Sequence, residues 1–161
     1  MNNLKTGVLL VASSVLDRDP DFRQSLFFLA AYDAAFVFGF NIAGPVEEDW
    51  LTIGGPLDSP LFMVSKVNDA TKEYATGDSG YATVPIMQDG KEPRDFKDIV
   101  APLIAKNKDH CLAITGHAGW GQGQLEWEVE TGYWQVLDVS LDEFLRLPPE
   151  ARWQHARTML A

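Results

Sequence analysis

Three apolar runs in the first 42 residues restrict the fold more than any other feature of the chain. Val8-Leu9-Leu10-Val11 is continuous and rich in β-branched residues, and Gly7 to Val15 around it reads as a buried strand. Leu26 to Tyr32 and Phe36 to Ile42 are aromatic-rich runs separated only by Asp33-Ala34-Ala35, a break short enough for a hairpin. Gly44-Pro45 ends the second run.

Further along, Trp50 to Ile53 leads into Gly54-Gly55-Pro56, and Leu61 to Val67 reads as another strand. Tyr81 to Met87 reads as an edge strand, because Pro85 has no N–H to give a central ladder. From Asp95 to Lys106 the residues Phe96, Ile99, Val100, Leu103 and Ile104 recur at helical spacing. Pro102 falls inside that pattern, so a kinked or split helix is expected. His110 to Thr115 reads as a buried strand, Gln122 to Thr131 as a helix stopped by Gly132, and Tyr133 to Val139 as a strand. Ser140-x-x-Glu143 has the pattern of a capping box, and Pro148-Pro149-Glu150 starts a last helix that buries Trp153, Ala156 and Leu160. Strands consecutive early, with helices interspersed later, give one α+β domain over residues 1–161 with a mixed, strongly bent sheet.

At 161 residues the chain is long enough to bury a core without staples. Its single cysteine, Cys111, excludes an internal disulfide framework and fits a reducing cytoplasm. The 13 Lys+Arg face 23 Asp+Glu, a formal net charge of −10. Lys91, Arg94 and Lys97, like Lys106 and Lys108, are interleaved with acids, which describes a solvated face. Direct nucleic-acid binding and adhesion to an anionic membrane are both disfavoured. The apolar stretch Val8–Ala12 is too short for a signal sequence, and no run approaches the ~20 residues of a membrane span.

The segment "GHAGWGQGQLEWEVE" at 116–130 crowds four glycines around Trp120. Their spacing matches neither the dinucleotide nor the P-loop pattern. No lysine or arginine stands between Lys108 and Arg146 to neutralise phosphates, while Glu126, Glu128 and Glu130 would repel them. The glycines therefore read as shaping the backbone and admitting close packing of Trp120. Cys111 and His117 stand about 20 Å apart along an unbroken strand, too far for a dyad, and Cys111 reads as buried and structural. Glu47-Glu48-Asp49 and Asp142-Glu143 are acidic neighbours that nothing aims at one substrate. The residues select no catalytic group, metal ligand or cofactor. Phe22, Phe27, Phe28, Phe36, Phe38 and Phe40 read as core, with an apolar ligand pocket as the alternative.

Four segments together, "TGVLLVASSVLDRDPDF" at 6–22, "GGP" at 54–56, "GHAGWGQGQLEWEVETGYW" at 116–134 and "LPPEARWQHA" at 147–156, resemble the YqgE/AlgH family over nearly the whole chain. The resemblance implies an α+β fold whose sheet curls into a partial barrel. One branch of that family carries a regulatory label, and no catalytic residues come with the likeness. The chain departs from the family pattern at Ser14, Tyr32, Ala43, Gly44 and His117, where members usually have Pro, His, the Asn-Arg of an Asn-Arg-Pro turn, and often Tyr.

The functional expectation is a cytoplasmic, non-enzymatic protein that acts through protein contacts, with a regulatory role. Its candidate surface is His117, Trp120, Gln122, Gln124 and Glu126, with Gly54-Gly55-Pro56 as a second patch. Seven acids against Arg146 alone between residues 120 and 150 call for a partner with a basic surface. The alternative is a small-ligand binder or hydrolase-like enzyme with a pocket near His117 and Glu126.

Overall fold

A computed structural model describes residues 3–86 and 89–160, so Met87, the last residue of the expected edge strand, lies outside the described residues. The class is α+β, but the strands build two five-stranded sheets instead of one. The first holds β1 (Leu9–Ala12), β2 (Leu26–Tyr32), β3 (Val37–Asn41), β9 (Ala118–Gly119) and β10 (Trp134–Leu137), in the order β10-β1-β2-β3-β9. All its neighbours run antiparallel. The second holds β4 (Val46–Glu47), β5 (Leu51–Ile53), β6 (Leu61–Lys66), β7 (Tyr81–Ile86) and β8 (Cys111–Thr115), in the order β4-β5-β8-β6-β7. Mixed pairing belongs to this sheet alone, through the parallel β5–β8 pair.

The continuous apolar runs are explained by layers on both faces. Along β1 and β2, Leu9, Val11, Leu26 and Phe28 point into a central core shared with Val64, Leu112 and Ile114 of the second sheet. Their neighbours Val8, Leu10, Phe27 and Leu29 point the other way, against Trp120, Leu125 and Trp134. Side chains alternate with period two, so a strand covered on both faces must be apolar at every position. The helix α2 (Gln124–Glu130) covers the outer face of the first sheet through Leu125, and α1 (Lys97–Asn107) covers the second through Val100 and Ile104. Two further helices, α3 (Asp142–Leu145) and α4 (Pro149–Thr158), close the central core with Phe144, Leu145 and Ala156. The Trp153 indole N–H donates to the Ala12 carbonyl at 2.9 Å and ties α4 to β1.

Several expectations hold in detail. Asp33 forms the hairpin turn by accepting from the N–H groups of Ala35 and Phe36, and β7 is an edge strand that carries Pro85. Others are corrected. The helix α1 continues through Pro102 in a single span, with Pro102 itself exposed. Its buried stripe is only Val100 and Ile104, while Ile99 is 70% exposed and Leu103 46%. The expected capping box at Ser140 is not formed. The N-cap of α3 is Leu141; Ser140 accepts from the Asp142 N–H instead of that of Glu143, and the Glu143 side chain turns to His155 at 2.9 Å.

Candidate functional site

The two patches singled out in the sequence are one structure. Beyond β8 the chain bends at Gly116, whose φ is +83°. His117 then pairs with Leu57, each donating its N–H to the other's carbonyl at 2.9 Å. Gly54 donates to the Thr115 carbonyl at 2.7 Å and accepts from the Asn41 N–H at 2.8 Å, so this turn seams the two sheets together. A methyl at Gly54 would stand 2.7 Å from the Gly116 carbonyl oxygen, and one at Gly116 would stand 2.7 Å from that of Gly55. Two backbones approach closer here than any side chain allows.

Past the seam, α2 organises polar contacts around Glu128. Its Oε1 accepts from the indole N–H of Trp120 at 3.0 Å and of Trp134 at 2.8 Å, and its Oε2 accepts from Gln124 Nε2 at 2.8 Å. Gln124 Oε1 accepts from the Gly121 N–H at 2.9 Å, which fixes the loop ahead of the helix. Trp120 is 8% exposed and stacks edge-on against Phe27 and Trp134. It therefore supports the surface from beneath and is not a contact residue.

His117 and Glu126 do not converge. Glu126 accepts from the Tyr32 hydroxyl at 2.6 Å, and this bond, with burial and charge, pushes the tyrosine up to about 12. The His117 ring lies edge-on to Phe38 with Nδ1 buried and unpartnered; burial lowers its pKa and keeps it neutral. Gln124 meets Glu128, not Glu126. Among the described residues no hydrogen bond joins His117 to Glu126 or Gln124, so the three side chains that the catalytic alternative names have separate surroundings. Among the described residues no group of three His, Cys, Asp or Glu side chains is placed to hold a metal ion. No helix among them is long and apolar enough to cross a membrane.

A broad cleft of about 780 Å³ opens elsewhere, between the β3–β5 connection, β8 and the α3–α4 turn. Trp50, Cys111 and Leu145 form its apolar wall, and Arg152 lines it while only 6% exposed. Burial raises the Cys111 thiol to about 11, so it stays protonated. Arg152 was missed in the sequence, although its place four residues before the buried Ala156 sets it on the inner stripe of α4. Glu128 was missed as well. Its helical spacing from Gln124 was legible, but its two indole partners meet it only through the fold.

The chain matches the AlgH-like family (DUF179) over residues 9–161. A UPF0301 protein of Caulobacter vibrioides is 29% identical, covering 96% of this chain and 86% of that relative. The UPF0301 protein of Thioalkalivibrio sulfidiphilus is 27% identical, over 96% and 89%. The solution structure of the AlgH protein from Pseudomonas aeruginosa superposes with a TM-score of 0.66 at 21% identity, over 96% of this chain and 88% of that one. The crystal structure of protein DIP2367 from Corynebacterium diphtheriae gives 0.59 at 24%, over 88% and 81%. Those two likenesses speak for the fold alone. With the glycine seam, the two sheets and a match that spans the sequence from β1 onward, the chain is a divergent member of the AlgH-like family.

Proposed function

We propose that the protein works in the cytoplasm by contact with another protein, in a regulatory role, through the face that the Leu57–His117 bridge assembles. The single observation carrying this reading is that bridge, which joins two segments about 60 residues apart into one surface. Pro56, Leu57, Gly119, Gly121, Gln122 and Gln124 are exposed on it, and Leu57 leaves 49% of its surface in water. Gly54, Gly55 and Trp120 hold it from beneath. An exposed apolar side chain and bare backbone, on a chain of net charge −10, suit a partner that presents a basic surface around an apolar contact. The lone Cys111, buried and reduced, suits the cytoplasm.

The test is affinity capture from the native cell extract with the intact protein and with a Leu57→Asp/Gln122→Ala variant, both of wild-type melting temperature. The reading expects a partner retained by the wild type, lost from the variant, and released as salt shortens the Debye length from about 8 Å toward 3 Å. Partner profiles identical for the two proteins would remove this face from consideration. Added duplex DNA is expected to stay unbound at physiological salt.

A further inference from the structure

The cleft holds a cation without a counter-charge. A guanidinium has five N–H donors. In Arg152 the Nε–H donates to the Phe144 carbonyl at 2.7 Å and is shared with that of Leu147 at 3.2 Å, and one Nη1–H donates to the Ile42 carbonyl at 2.7 Å. Five less these two leaves three N–H groups, on Nη1 and Nη2, with no acceptor among the described residues. Among the described residues no carboxylate comes within salt-bridge distance of the group. Glu150 acts on it through charge alone, and burial brings Arg152 down to about 10, so it remains charged at neutral pH. A buried charge of this kind is unfavourable unless acceptors or an opposite charge compensate it. The carbonyls of Phe144, Leu147 and Ile42 fix the position of the group and leave its open donors toward a cleft walled by Trp50 and Leu145.

We propose that this cleft binds a small amphipathic monocarboxylic acid, with the open donors of Arg152 holding the carboxylate and Trp50 and Leu145 holding the apolar body. A planar, pre-positioned fork matches a carboxylate, and its cost of ordering is already met by the fold. Of the lining cations Arg152 alone is buried, and it presents a single charge, while the lining acids Asp49, Asp109 and Glu150 would repel the further charge of a phosphate ester or nucleotide, so the site fits a monoanion. The site shares no residue with the face proposed for protein contact, so each can fail without the other.

The experiment titrates indole-3-acetate and octanoate into the intact protein, following the Trp50 indole N–H resonance, assigned with Trp50→Phe. Indole-3-acetamide, inorganic phosphate and ATP are titrated in parallel. The acids are expected to shift that resonance saturably, and the neutral amide is expected to bind at least about tenfold more weakly. Glu150→Gln, on the exposed rim, removes the competing charge and is expected to tighten acid binding about two- to fivefold. Arg152→Lys, which keeps the charge but loses the fork, is expected to weaken it about tenfold if its melting curve shows a folded protein. Equal binding of acid and amide, tighter binding of phosphate or ATP, an affinity unmoved or weakened by Glu150→Gln, or no saturable shift with either acid at millimolar concentration would each overturn the proposal.

Discussion

Replacing Glu128 by alanine isolates the contact that holds α2 to the first sheet. The substitution takes the acceptor from two indole N–H groups at once. Trp134 is 2% exposed and Trp120 8%, so water reaches neither donor freely. Each buried donor left without a partner costs ~1–3 kcal/mol, and the pair together roughly 2–6 kcal/mol. Gln124 adds little to that sum, because it is exposed and water replaces its lost acceptor. For a chain of this length a kcal/mol moves the melting temperature by about 2–4 °C, so Glu128→Ala should melt roughly 4–24 °C lower. Glu128→Gln should lose less, about 1–2 kcal/mol. Its carbonyl can still serve the indoles, but its amide nitrogen meets Gln124 Nε2, donor against donor. Gln124 cannot turn over without giving up the Gly121 N–H. Urea unfolding followed by tryptophan fluorescence measures both variants. A Glu128→Ala loss below about 0.5 kcal/mol, the range of a neutral surface change, would refute the hub.

Two further outcomes are expected. Gly116→Ala meets both a positive φ and the Gly55 oxygen at 2.7 Å, whereas Gly132→Ala, at φ +89°, meets open space. The first should cost roughly 2–4 kcal/mol and the second about 1 kcal/mol, so equal losses in denaturant melts would mean that the backbone approach at the seam contributes nothing. The Tyr32 hydroxyl is raised to about 12 in the folded chain, chiefly by its bond to Glu126. A raised folded value means that its contribution to stability is whole below the unfolded value near 10 and is lost as pH climbs through about 12. Stability measured across that alkaline window should fall more steeply for the wild type than for Tyr32→Phe, and parallel curves would contradict the assignment.

Tyr32 also shows how a departure from the family pattern can be read. At this position the chain has a phenol that reaches a carboxylate 94 positions further on. The substitution is visible in the sequence, but its partner is not, since nothing local links residue 32 to residue 126. The Ala43 and Gly44 departures have a clearer consequence. Both line the cleft, and Gly44 leaves no room for a side chain against the Ile53 carbonyl.

The sequence alone determined the longer strands and the glycine turns. The run Val8–Val11 and the first half of Leu26–Tyr32 had to be strands, because burial on both faces leaves no position for a polar residue; Phe36–Ile42, read as core, departs from that rule at Asn41 and at Phe36, which is 66% exposed. Gly132 had to stop α2, because its positive φ is cheap only without a side chain. The tertiary structure decided what those elements meet. It alone turned Trp120 inward, exposed Ile99 and Leu103, sent Glu126 to Tyr32, and anchored Arg152 to a carbonyl 110 residues away. Periodicity and turn chemistry are properties of neighbouring residues and survive in one dimension. The pairing of polar groups across a core depends on how the layers stack, which no local pattern encodes.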